Sequence, residues 1–204
     1  MVLIRPARAD DLDAVYGICL ATGDSGRDAS GLYSDPQLIG HIYAAPYVLL
    51  EPRLAFVVVD EEGVGGYVVG TEDTTSWEKR LERNWWPPLR RRYADPDETD
   101  RPTRTPDQRL AHLVHHPRSD PAAVCKDYPA HLHMNVLPRL QGRGVGSALL
   151  DCWITAAALR GIRAAHVGVS PVNAKGARFW KRAGFAELQV PGEGADALWL
   201  GRLL

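Results

Sequence analysis

Several signatures of specialised proteins are missing from this chain. Cysteine is scarce: Cys19, Cys125 and Cys152 are odd in number and far apart. Without a Cys-x-x-Cys or a Cys/His ligand spacing, neither a disulfide framework nor a structural zinc site is expected. Cys19 and Cys152 instead sit among apolar residues at helical spacing and read as buried thiols. No apolar run approaches the roughly 20 residues that cross a bilayer. The opening Val2-Leu3-Ile4-Arg5 lacks the apolar core of a signal peptide, so the expectation is a soluble, cytoplasmic protein with no membrane partner. An excess of one charge is missing too. The formal net charge is −1, which gives no global attraction to nucleic acid. What remains is an ordinary composition, 45% hydrophobic and 24% charged over 204 residues, enough to bury the core of one domain.

Along the chain, Val2–Arg5 predicts a short strand ended by Pro6. Asp10-Asp11 then opens an amphipathic helix with Leu12, Val15, Ile18 and Cys19 on one face. A second helix is predicted over 35–44, where Asp35-Pro36 supplies a cap and a first turn. Leu54–Asp60 and Val64–Gly70 read as an antiparallel hairpin about Glu61-Glu62-Gly63. Residues 76–128 break the pattern with a tryptophan-rich helical piece (Trp77–Tyr93), a polar stretch (Asp95–Pro106), a short helix (Gln108–His116) and a loop to Pro129. A structureless linker of about fifty residues conflicts with the short connections of compact domains, so this reads as a partly helical insertion. Beyond it, strand Ala130–Leu137, helix Gly144–Leu159, strand Ala164–Val169 and helix Asn173–Ala183 follow in turn. With strands near Phe185–Val190 and Ala197–Leu203, they predict a mixed α/β sheet.

Chemistry concentrates in Val136-Leu137-Pro138-Arg139-Leu140-Gln141-Gly142-Arg143-Gly144-Val145-Gly146-Ser147. A strand stops at a proline, glycines cluster, and an apolar helix begins. Such a turn lets backbone approach a ligand without a Cβ in the way. The first helical N–H groups have no intrahelical partner and sit at the positive end of the dipole, which suits phosphate. Arg143 adds positive charge. The spacing of Gly142, Gly144 and Gly146 gives neither G-x-G-x-x-G nor a P-loop.

Gln141, Gly144 and Gly146, preceded by Val136 and Pro138, resemble the Gln/Arg-x-x-Gly-x-Gly/Ala phosphate loop of the GNAT acyltransferases. Downstream, Asn173-Ala174-Lys175-Gly176-Ala177-Arg178-Phe179-Trp180-Lys181-Arg182-Ala183-Gly184-Phe185 is similar to that family's Asn-x-x-Ala-x-x-Phe-Tyr-x-x-x-Gly-Phe helix. Tyr33–Ile42, Phe56–Trp86, Tyr128–His131 and Trp199–Arg202 further resemble the acetyltransferase-like C-terminal domain of O-GlcNAcase and its free-standing bacterial relatives. The resemblance implies one GNAT domain over residues 1–204, with a mixed, mostly antiparallel sheet flanked by helices. The insertion at 76–128 falls between the third and fourth strands. It implies acetyl-CoA as co-substrate, no metal, and an amine acceptor. The cofactor would be held by Met134, Asn135, Val136, Gln141, Gly142, Arg143, Gly144, Val145, Gly146, Ser147, Asn173, Phe179 and Trp180. The backbone N–H of Val136 would polarise the thioester carbonyl.

The remaining roles stay open. His131 and His133 alternate on one strand and share a face; a base there has a suitable pKa, but the same side chains could serve the core. His133 is the candidate base, with Glu72 and Asp73 as alternatives acting through water. Trp180 stands where the family often has a tyrosine acid, and an indole N–H cannot serve. An N-acetyltransferase is therefore weighed against a silent acetyl-CoA-binding or peptide-reading module. Trp77, Trp85 and Trp86 beside Arg90-Arg91-Arg92 admit nucleic-acid stacking. The reading taken is packing of the insertion onto the sheet, over the acceptor side, with no nucleic acid. His112, His115 and His116 lack ligand partners in the sequence and read as a solvated helix end.

Overall fold

The computed structural model describes residues 2–190 and 197–204. The elements run β1 (Leu3–Pro6), α1 (Leu12–Ala21), α2 (Leu38–Tyr43), α3 (Ala45–Leu50), β2 (Ala55–Asp60) and β3 (Gly63–Thr71). The insertion follows as α4 (Thr74–Asn84), α5 (Trp86–Arg92), α6 (Pro106–His115) and α7 (Ala122–Asp127). The chain then returns through β4 (Ala130–Val136), α8 (Val145–Leu159), β5 (Ala164–Val169), α9 (Ala174–Arg182), β6 (Ala186–Glu187) and β7 (Leu198–Leu203). Among the described residues, no helix is long and apolar enough to cross a membrane.

The strands form one seven-stranded sheet in the order β1-β2-β3-β4-β5-β7-β6. Despite the insertion, β3 pairs antiparallel with β4 from Gly66↔Val136 to Thr71↔His131, as expected from the need to close the sheet over its core. Alternation along the strands separates two cores. Val57, Tyr67 and Val69 face α1–α3 and the insertion. Val58, Val68, Ala130 and Leu132 face α8, which buries Leu149, Leu150, Trp153 and Ala157 against them.

The insertion is an extension of the first core. Trp77, Leu81, Trp86, Leu89, Leu110 and Val114 are buried with Val15 and Ile18. Trp85 donates its indole N–H to the His41 carbonyl at 2.8 Å. The expected single helical piece over 77–93 is two helices, because Pro87 and Pro88 cannot donate the bonds that would continue α4. Arg90 pairs with Glu82 and Arg92 with Asp35. Asp35 does not cap a helix: it accepts the Gln37 N–H at 2.9 Å and the Tyr93 hydroxyl at 2.7 Å, and α2 starts only at Leu38. Two helices absent from the sequence reading, α3 and α7, are six residues each, too short to show a 3.6-residue period.

At Gly70, in β3, the sheet is crossed closely by Trp153 of α8. A Cβ at that position would lie 2.8 Å from Trp153 Nε1 and would also press on the His131 carbonyl oxygen. Gly70→Ala is expected to destabilise the fold by about 1–3 kcal/mol, the usual cost of overpacking. A urea midpoint equal to that of the parent would refute this account.

Candidate functional site

Strands β4 and β5 run parallel, yet they pair only at Ala130↔Ala165 and His131↔His166 before they part. The backbone of the parted half is oriented by the other neighbour. Leu137 donates its N–H to the Gly65 carbonyl at 2.8 Å, so by antiparallel alternation Asn135 and His133 also point their amides at β3. Met134 and Val136 therefore aim their N–H groups the other way, into the gap where no strand pairs with them. The gap opens into a cleft of about 1510 Å³.

One end of the cleft is the glycine turn. Gly142 and Gly144 hold φ of 72° and 77°, a left-handed backbone that side chains resist, and Gly144 starts α8. The first helical bond is Ala148 N–H to Gly144 O, which leaves the amides of Val145, Gly146 and Ser147 without intrahelical acceptors. Gly146 lies under α9: a Cβ there would approach Phe179 at 3.3 Å and Met134 at 3.7 Å. Gln141 ties the turn to β4 by donating to the Val136 carbonyl at 2.7 Å, and it accepts from Lys175. Asn173 caps α9, its Oδ1 accepting the Gly176 N–H at 2.8 Å, while its residue lines the cleft. This end has free amides, a helix dipole and a bare backbone surface, which together suit a phosphorylated chain lying along β4.

The other end lies on the side of α3 and the insertion. His131, His133 and Asn135 share the face that points there, as their alternation requires. A directed chain of hydrogen bonds sets the tautomers. Thr74 donates its hydroxyl to the Pro129 carbonyl at 2.8 Å, so it can only accept from His131 Nδ1, at 2.7 Å. His131 Nε2 then accepts the Tyr47 hydroxyl at 2.7 Å, and the Tyr47 oxygen accepts from His133 Nε2 at 3.2 Å. His133 is left with its lone pair on Nδ1. Burial pushes His131 down to about 3 and His133 to about 4, so both imidazoles are neutral at pH 7. Beside them His166, fully buried, donates Nδ1–H to the Tyr128 carbonyl and meets Asp120 Oδ2 at 3.0 Å. Burial alone would raise Asp120; the His166 hydrogen bond outweighs it and holds the carboxyl low.

The structure thus gathers Met134, Val136, Gln141, Gly142, Gly144, Gly146, Ser147, Asn173, Phe179, Trp180 and His133 around one cleft. Val145 contributes backbone only, since its side chain is in the core, and Arg143 is exposed outside the cleft lining. The carboxylates proposed to act through water are corrected. Asp73 does not line the cleft; its carboxylate accepts the Ser76 N–H at 2.8 Å as the cap of α4. Glu72, its companion, pairs with Arg160. Asn135 lines the cleft, with its side chain joined to Thr22 and the Tyr67 hydroxyl and its backbone amide facing β3. Tyr47, Asp120 and His166 were not singled out. Only His166 carried a signal, as a histidine alone in an apolar strand.

A family model described as Acetyltransferase (GNAT) domain matches residues 114–187. The solved structure of SsHAT is 41% identical, superposes with a TM-score of 0.90, and is covered over 98% of its length by 99% of this chain. The apo form of an agmatine N-acetyltransferase mutant is 16% identical with a TM-score of 0.60, the match covering 100% of this chain and 99% of that one. Among curated proteins, Protein O-GlcNAcase of Rattus norvegicus is 26% identical over 204 residues, 98% of this chain but 22% of that protein's length.

The depressed histidines carry a stability consequence. The unfolded chain, with histidines near 6.5, binds protons that folded His131 and His133 refuse, so stability is full above pH 6.5 and falls as pH drops toward 4. Urea midpoints measured between pH 7.5 and 4.5 should decline, and His131→Gln should flatten that decline. A midpoint level across the range would contradict the buried neutral pair.

Proposed function

The chain belongs to the GNAT acetyltransferase family, and we propose that it moves the acetyl group of acetyl-CoA onto an amine that enters from the insertion side. The single observation that carries the reading is the parting of β4 from β5 beside the open N-terminus of α8, within one continuous cleft. Acetyl-CoA supplies an acyl thioester; the remaining work falls to the chain. The amides of Val145, Gly146 and Ser147 hold the pyrophosphate. The gap between the strands takes the pantetheine arm, with Phe179 and Trp180 as its wall. The Asn173 amide NH2, which its cap does not use, donates to the arm. The Val136 N–H, aimed into the gap, polarises the acyl carbonyl.

The amine must lose a proton to attack, because a free lysine has a pKa near 10.4. His133 is the proposed base: it faces the cleft with its lone pair on Nδ1, and the burial that keeps it neutral also makes it a weaker base than a free imidazole. Tyr47, His131 and Thr74 act as positioning residues that hold its tautomer. Trp180 cannot protonate the departing sulfur, and a thiolate of ordinary pKa near 8.5 leaves without help. The buried Trp180 indole is also the observation that favours the second reading, a module that binds acetyl-CoA without turnover.

Free-thiol release from acetyl-CoA across a panel of amines and peptides separates the two readings; binding without release from any acceptor would leave the silent module. For the enzyme, His133→Gln should lower kcat by about 10²-fold or more, the usual share of a general base, with acetyl-CoA affinity kept. Asn173→Ser keeps an oxygen that can cap α9 and removes the amide donor without adding charge. It should weaken acetyl-CoA binding by about 1–2 kcal/mol with the melting temperature unchanged. Unaltered affinity in that variant would remove Asn173 from the site.

A further inference from the structure

The histidines of α6, without partners in the sequence, acquire one in the fold. His112 and His116 are one helical turn apart, their rings 4.4 Å apart at 34°. The chain after α5 brings Asp95 across both: its Oδ2 lies 2.7 Å from His116 Nε2, and its Oδ1 3.4 Å from His112 Nδ1. One ligand atom from each of the three residues lies within 4.8 Å of the others. His112 Nδ1 is buried and, with Asp95 Oδ1 at 3.4 Å, makes no well-formed hydrogen bond, a cost that a buried polar atom seldom bears. The opposite nitrogen, Nε2, faces Glu98 Oε1 at 3.6 Å, and Glu98 is held by Arg104 at 3.0 Å. His115 is turned away and bonds the Tyr93 carbonyl at 2.8 Å.

We propose that Asp95, His112 and His116 bind a divalent cation of the zinc class and thereby pin the polar stretch 95–105 to α6. Two imidazoles at i and i+4 with one carboxylate make a borderline ligand set, suited to Zn²⁺, Co²⁺, Ni²⁺ or Cu²⁺ rather than to Mg²⁺ or Ca²⁺. A cation on His112 Nδ1 removes the unpartnered atom. It leaves Nε2–H to face Glu98, the outer carboxylate that commonly orients a ligating histidine. Water completes the coordination, because Asp95 and His116 are exposed. The site lies on the insertion, where Leu110 and Leu113 of the same helix wall the acceptor end of the cleft. A bound ion would therefore stiffen that wall while touching none of the groups assigned to acetyl transfer.

The full chain, freed of any purification tag and treated with chelator, is titrated with Co²⁺ by visible absorption and with Zn²⁺ by calorimetry. One ion per chain is expected, with His116→Ala and Asp95→Ala each weakening binding by about a hundredfold or more, since even outer partners cost 10–100-fold. Amide exchange across 95–105 should slow on loading in the parent and not in His116→Ala. Asp120→Asn serves as the control, because Asp120, His131 and His166 form a second, buried group of potential ligands. Undiminished binding in His116→Ala, or loss of binding in Asp120→Asn, overturns the assignment. So does the absence of saturable binding. Binding without slowed exchange overturns the pinning.

Discussion

The geometry of the molecule depends on the place where β4 and β5 stop pairing. At that apex, His131 and His166 are register partners, and Asp120 reaches both, at 3.8 and 3.0 Å. The two rings are too bulky and too firmly held to slide. Thr74 and Tyr47 grip one, and the Tyr128 carbonyl and Asp120 the other. Past this knot, β5 follows β7 in an unbroken antiparallel ladder from Ala164↔Leu203 to Val169↔Leu198, while β4 follows β3. Each strand has one satisfied neighbour, so the sheet tolerates a gap between them. The unpaired backbone of Met134 and Val136 faces a ligand space instead of becoming an orphan in the core.

The glycine turn and the gap form a single device. Gln141 bonds both the Val136 carbonyl and Lys175, and so joins the end of β4, the turn and α9. The free amides at the start of α8 are therefore fixed in position relative to the aimed amide of Val136. Gly146 keeps α8 and α9 close, with Phe179 and Met134 against it. The left-handed Gly144 directs the first amides of α8 outward. Backbone supplies most of this end, which explains the glycines at 142, 144 and 146.

How much of this was legible depends on the range of the interactions. The glycine-turn end of the cleft lies in contiguous stretches, Val136–Ser147 and Asn173–Phe185, where spacing alone places glycines, caps and apolar faces. The period-two rule grouped His131 with His133 but could not say which face looks into the cleft, since that requires the core on each side. The Asp120–His166–His131 knot joins residues up to 46 apart through tertiary contact, and no local pattern encodes it. Asp73 failed for a different reason. An aspartate directly ahead of a helical run is an N-cap signal, and the backbone N–H of Ser76 occupies the Asp73 carboxylate in that role. The aspartate that reaches the histidines comes from an irregular loop that invited no assignment.

That loop alters how the insertion should be understood. By its length it resembles an addition to a finished fold, yet it carries Asp120 to the apex, and α4 begins with the Thr74 that fixes His131. Trp77 stacks on Tyr47 at 4.5 Å, so the tyrosine that sets the tautomer of His133 is itself seated by the insertion. Glu78 accepts the Asp120 N–H at 3.0 Å and holds the loop in place. The insertion thus supplies both part of the cleft wall and the supports that seat Tyr47 and His131 beside His133. A change in the insertion that reshapes this wall also shifts the supports of His133, so under the proposed function acceptor choice and rate would not vary independently.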